Sequence, residues 1–198
     1  MVEMTESANT VGAQVVGALP VAGGQHAGQM LAGGLKAVVL LNTEPAADAA
    51  NGAAAAQALA QAEMVVTLSP FKANMDIADV LLPIAPFTET AGTFVNTEGR
   101  AQSFYGVVRP LGETRPGWKV LRVLGTLLGL PGFEQETIEE VRQLALPAQL
   151  ADRLSNATTA SIDTAAVEHP PCVASIYQLD GIVRRAPSLQ LTADARGA

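Results

Sequence analysis

Three short, mainly apolar runs punctuate the first half of the chain: Ala37–Leu41, which is continuous, then Met64–Leu68 and Ala78–Leu82, which repeat the pattern around Thr67 and Asp79. Lys36 and Asn42 bound the first and Pro83 closes the third. Short continuous apolar runs with such boundaries are the pattern of strands covered on both faces. Between the first two runs lies an alanine-rich stretch ending near Ala62, which Asn51 is placed to cap and in which Leu59 supplies a core contact. A short crossover separates the second run from the third. Strand, helix, strand, crossover, strand is the order that builds a parallel sheet through right-handed connections. The expected fold class is therefore α/β, a small, largely parallel sheet flanked by helices.

Beyond the third run the period changes. Thr93–Asn96 and Arg100–Phe104 flank Thr97-Glu98-Gly99, a hairpin in which Gly99 supplies a positive φ. Pro110 and Pro116 bracket a connector, and Pro116 suits the first turn of a helix. That helix places Val120, Leu121, Leu124, Leu127 and Leu128 on one face, with Lys119, Arg122 and Thr126 opposite, and Gly129 and Pro131 stop it. Thr137 with Glu140 forms a capping box before an apolar stripe of Ile138, Val141 and Leu144. Ahead of the first strand, residues 8–35 are glycine-rich connectors with a weak helix around Val11–Leu19 and a second from Gln25 to Ala32 that ends at Gly33-Gly34. Residues 155–172 read as a linker. Ile176–Leu191 reads as an amphipathic piece carrying Arg184-Arg185, interrupted by Pro187, with its partner expected outside this chain. Two regions result: an α/β domain over residues 1–149, and a linker with an irregular, helical C-terminal extension over 150–198.

Composition narrows the chemistry. Of the 198 residues, 48% are hydrophobic and only 4% aromatic, so a core can form and must be built from Ala, Val and Leu. The 12 Lys and Arg against 19 Asp and Glu leave a net charge of -7, a surface that repels a phosphate backbone and argues against nucleic acid. One cysteine, Cys172, excludes an internal disulfide and any four-thiolate cluster supplied by this chain alone. No apolar run approaches the ~20 residues of a membrane helix. The first residues lack a basic segment before an apolar one, so no secretory signal is expected and the chain reads as soluble and cytoplasmic.

No residue is expected to be catalytic or to bind a metal. After the first strand stands Asn42-Thr43-Glu44-Pro45, with no Gly-x-Gly-x-x-Gly to cradle a pyrophosphate, and the glycines at 12, 17, 23, 24 and 28 precede that strand. His26 and His169 have no partner at triad or metal spacing, and His169-Pro170-Pro171-Cys172 offers two ligands on extended chain. Asp76 and Asp79 flank the third strand, where carboxylates cap helices and loops.

One run is more specific. Ala78-Asp79-Val80-Leu81-Leu82-Pro83 leads into Phe87-Thr88-Glu89-Thr90-Ala91-Gly92-Thr93-Phe94-Val95-Asn96-Thr97-Glu98-Gly99-Arg100-Ala101-Gln102, and the whole resembles the molybdopterin oxidoreductase family. In members holding a bis-pterin metal cofactor this region lies close to it, so the resemblance points to Glu89, Thr93, Asn96, Glu98 and Arg100 as vestigial pterin-loop candidates. Alternatively Gly92 and Gly99 permit turns, and Asn96 and Glu98 can satisfy backbone donors in the loop. Ser7–Ala13, Pro83–Thr90, Ser103–Gly125 and Ile182–Asp194 further resemble the C-terminal half of the large iron-sulfur subunit of bacterial NADH:quinone oxidoreductase, respiratory complex I.

That resemblance implies a molybdopterin-type fold kept without its metal cofactor. It implies electron transfer through iron-sulfur clusters held by cysteines upstream, none of them in this chain. The expected role is a scaffolding segment with no redox centre, no cofactor and no autonomous activity. Its implied partners are the upstream half of its own subunit and other peripheral-arm subunits. The implied location is the cytoplasmic side of the bacterial inner membrane, peripheral through the complex and without membrane insertion. The alternative is a fragment of a true molybdopterin-dependent oxidoreductase whose 89–102 loop contacts the pterin.

Overall fold

The computed structural model describes residues 7–155 and 175–197. The linker expected over 155–172 lies almost wholly outside the described residues, as do His169 and Cys172. The elements in chain order are α1 (Thr10–Val15), α2 (Ala27–Met30), β1 (Ala37–Leu41), α3 (Pro45–Asp48), α4 (Gly52–Leu59), β2 (Met64–Ser69), β3 (Val80–Pro83), β4 (Gly92–Val95) and β5 (Ala101–Phe104). They continue with α5 (Gly117–Leu127), α6 (Ile138–Ala145), α7 (Ile176–Leu179), α8 (Pro187–Gln190) and α9 (Ala193–Arg196), with single 3-10 turns at Phe87–Glu89, Leu150–Arg153 and Val183–Arg185.

The three apolar runs form one parallel sheet in the order β1-β2-β3, with Val39 opposite Val66 and Thr67 opposite Leu81. Only β2 is covered as expected, with Val65, Thr67, Leu68 and Ser69 all buried. The reading of β1 and β3 as strands buried on both faces is corrected: Val39 is 51% exposed, Leu41 46% and Val80 40%. Both are edge strands here, so each has one neighbour and an apolar surface with less to pack against. The core gathers where β1 and β2 meet α4, as Leu40, Leu59 and Val65 with Leu31, Val38, Ala62 and Ile77 around them. Asp79 lies just ahead of β3. Its carboxylate accepts the Val65 amide at 2.7 Å, which makes it a bracket for the sheet.

Asn51 caps α4 as read, its side-chain oxygen accepting the Ala54 amide at 3.0 Å. Gly52 opens that helix because a Cβ there would collide with the Ala46 carbonyl of α3. Asn51→Ala is expected to cost about 1 kcal/mol through loss of that acceptor. Thermal unfolding of the two proteins checks it, and coincident melting curves would show that the cap contributes nothing. His26 is likewise a helix cap: its Nδ1 accepts the Gln29 amide at 3.3 Å and its own amide donates to the Gln29 side chain at 3.0 Å.

The hairpin is antiparallel, Thr93 opposite Ser103, with Gly99 at φ 80° in its turn. Phe94 and Phe104 meet edge to face at 5.5 Å. Pro116 precedes α5 as its cap instead of entering the first turn, because its ψ of 136° is extended. The apolar stripe of α5 is covered only in part: Val120, Leu121 and Leu124 are half-buried, whereas Leu127 is 79% and Leu128 65% exposed. The residue that α5 buries is Gly125, against which the Phe133 ring lies so closely that a Cβ would clash. The capping box at Thr137 and Glu140 is formed, and backbone donation from Glu136 and Thr137 holds the Glu140 carboxyl below its usual range.

Candidate functional site

In open parallel sheets ligands sit outside the carboxyl ends of the strands, because several loops diverge there and leave a crevice. Here those ends bound a cleft of about 500 Å³. Leu41 ends β1 and Asn42 follows it, Ser69 ends β2 with Phe71 just beyond, Ile84 and Ala85 follow β3, and Gly117-Trp118 at the start of α5 close one side. Asn42 takes a φ of 50°, which turns the chain sharply out of β1 while its amide donates to the Leu68 carbonyl at 2.8 Å. Asn74, at φ 56°, donates from its side chain to the Thr43 carbonyl at 3.0 Å and so fastens the loop after β1 to the crossover after β2. Pro45 then starts α3 at its first position, where its fixed φ suits a helix and its missing amide costs nothing.

The short helix α3 was not anticipated from the sequence, and it carries the charged part of the site. Glu44 and Asp48 face the C-terminal extension, which closes the cleft from above with Leu179, Asp180, Gly181, Ile182 and Arg184. Arg184 donates to Glu44 at 2.8 Å and to Asp48 at 2.9 Å, and Arg185 donates to Glu44 at 2.7 Å. Arg185 also lies over the Phe71 ring at 4.4 Å. The expectation that Ile176–Leu191 finds its partner outside the chain is therefore corrected for its arginines: their counter-charges are Glu44 and Asp48, across the fold.

The cluster is electrostatically tight. Burial by itself raises the Glu44 pKa, and the hydrogen bonds from Arg185 and Arg184 outweigh it and hold the carboxyl below its ordinary value. Asp48 follows the same balance, with burial opposed by the Glu44 amide and by Arg184. For Arg184, burial lowers the pKa and the two carboxylates raise it further than burial lowers it.

The five loop residues singled out from the sequence do not converge on this cleft. Glu89 accepts the Leu111 amide at 2.9 Å. Thr93 and Ser103 share a hydroxyl hydrogen bond at 2.9 Å, and Asn96 accepts the Arg100 amide at 2.9 Å. Arg100 and Glu98 form an exposed ion pair at 4.0 Å. Each group serves its own hairpin or connector, as side chains that bond nearby backbone do. Among the described residues, no group of three or more His, Cys, Asp or Glu is arranged to hold a metal.

The groups that do line the cleft were legible only in part. Glu44 stands directly after a parallel strand and before a proline, the position the carboxyl-end rule favours, and Arg184-Arg185 is the only arginine pair in an acidic chain.

A small parallel sheet flanked by helices, with a hairpin beyond, defines a mixed α/β class of fold. The family model of molybdopterin oxidoreductases matches residues 3–127, and the chain belongs to that family. Among curated proteins, one of Staphylococcus aureus (strain bovine RF122 / ET3-1), provisionally named a formate dehydrogenase, is 48% identical over 70 residues, 34% of this chain and 7% of that protein. Proteins of the same provisional name from strains USA300 and NCTC 8325 / PS 47 are each 40% identical over 70 residues, again 34% of this chain and 7% of theirs. The chain thus corresponds to a small part of the length of the relatives it matches.

The family implies a pterin nucleotide cofactor, whose phosphates call for free cations and amide donors. The described residues around the cleft do not fit it. Arg184 and Arg185 are held by Glu44 and Asp48, and the third carboxylate of the lining, Asp180, accepts the Ile182 and Val183 amides.

Proposed function

We propose that this chain is a scaffolding segment of the large iron-sulfur subunit of a respiratory NADH:quinone oxidoreductase, without a redox centre or cofactor of its own. The observation that carries the reading is the internal use of every side chain the family would turn toward a pterin. Thr93, Asn96, Glu98 and Arg100 bond within the hairpin, and Glu89 accepts the Leu111 amide of the connector that follows it. The sequence likeness of Ser103–Gly125 and Ile182–Asp194 to that subunit supports the particular complex. In this role the segment packs against the cluster-bearing upstream half of its subunit and against other peripheral-arm subunits. Electrons run through clusters held elsewhere. Among the described residues no helix is long and apolar enough to cross a membrane, which accords with a peripheral place on the cytoplasmic side.

The exposed apolar residues are consistent with such packing. Leu127, Leu128, Val107 and Leu111 are all more than half exposed, a surface that suits burial against a neighbour. The purified chain is expected to support no NADH-dependent reduction of a quinone or of ferricyanide above the rate without protein. Turnover that tracks protein concentration would refute the scaffold reading.

A second reading has its own observation, the formate dehydrogenase name of the relatives. On it, the chain is part of a molybdopterin-dependent oxidoreductase whose 89–102 loop meets the cofactor. Metal analysis for molybdenum and tungsten, with pterin fluorescence after oxidation, separates the two. The scaffold reading expects neither signal, and stoichiometric amounts of both would favour the second.

A further inference from the structure

We infer that residues 175–197 are a built-in occupant of the carboxyl-end cleft, a strap whose two arginines lock into an acidic receptor formed by Glu44 and Asp48. The inference concerns this chain's own cleft and does not depend on which redox complex the chain serves.

The strap carries hydrogen bonds of its own. Asp180 accepts the Ile182 and Val183 amides at 2.9 and 2.8 Å, which fixes the turn that presents Arg184. Gln190 donates to the Tyr177 and Val183 carbonyls, both at 2.9 Å, and ties α8 back onto that turn. Arg184 also donates to the Gln178 carbonyl at 3.0 Å, so its guanidinium is aimed by its own segment.

What holds the strap on the body is mainly charge. The apolar residues nearest the cleft are only partly covered, with Leu179 48% and Ile182 45% exposed. The Arg184 side chain, by contrast, is 15% exposed, and Glu44 is 20% exposed. Glu44 splits its two oxygens between the arginines and Asp48 takes the second nitrogen of Arg184, so one acidic edge recognises a guanidinium pair with directional bonds. The two terminal nitrogens of Arg184 face the carboxylates, while its buried Nε has no partner. With the strap seated, Leu179–Ile182 stand over the strand ends, where an external ligand of this fold class would enter.

Trp118, the chain's single tryptophan, lines the same cleft and reports on it. The test compares the full chain with an Arg184→Ala, Arg185→Ala variant and with a Glu44→Gln, Asp48→Asn variant, which removes the receptor charge at nearly constant volume. Acrylamide, a neutral quencher, is unaffected by the altered charge. In both variants the quenching constant of Trp118 is expected to rise about twofold, and the amides of Ile182 and Val183 to lose about tenfold of their hydrogen-exchange protection. Far-UV circular dichroism identifies a variant that fails to fold, in which case the other decides. Wild-type quenching and wild-type exchange in a folded variant would overturn the inference.

Discussion

Leu68→Ala is expected to be among the most damaging single substitutions in this protein, lowering its stability by about 3–4 kcal/mol. Leu68 is fully buried in the central strand, where β2 has neighbours on both edges and side chains packed on both faces. Truncation there removes several buried methyl groups and leaves a cavity that hydrogen-bonded strands on either side cannot move to fill. The same truncation at Val39, which is 51% exposed on an edge strand, is expected to cost well under half as much. Urea unfolding of the two variants measures the difference. Equal losses would mean that the sheet has no distinct centre.

The second large effect belongs to the clasp. Arg184→Ala removes the cation shared by two partly buried carboxylates, and a loss of about 2–3 kcal/mol is expected, toward the lower end for broken buried pairs because the groups keep some solvent and Arg185 still holds Glu44. Acid should erode the same interaction. The folded-state pKa values of Glu44 and Asp48 lie below their ordinary values of 4.5 and 3.8, so these groups bind protons more readily in the unfolded chain. Their stabilisation is complete above that range and fades as the pH falls through it. The charged groups facing the pair among the described residues are Arg184 and Arg185, which stay protonated throughout, so the window is set by the carboxylates. The stability gap between wild type and Arg184→Ala should accordingly narrow below pH 4.5. A gap that stays constant through the acid limb would show that Arg184 acts by packing alone.

Much of the fold was legible because its signals are local. Ala37–Leu41 is a strand with the bounds its apolar run predicted, and Asn51, Thr137 with Glu140, and Gly99 each act at the cap or turn that their residue type suits. The candidate site was much less legible. The loop from Glu89 to Arg100 is conspicuous in sequence, yet Glu89, Thr93, Asn96, Glu98 and Arg100 bond to groups of the hairpin and its connector and do not line the cleft at the strand ends. Nothing near Glu44 and Asp48 in the chain identifies their partners, which stand 136 to 141 residues away.

Apolar runs, caps and glycine turns thus determined the parallel strands and the hairpin, since each depends on residues within a few positions of one another. Which strands stand at an edge, which leucines stay uncovered and which carboxylates receive the arginines were decided only by tertiary structure. Coverage and ion pairing depend on distance in space, and an acidic pair after β1 acquires its meaning only when the distant C-terminal segment folds back onto it.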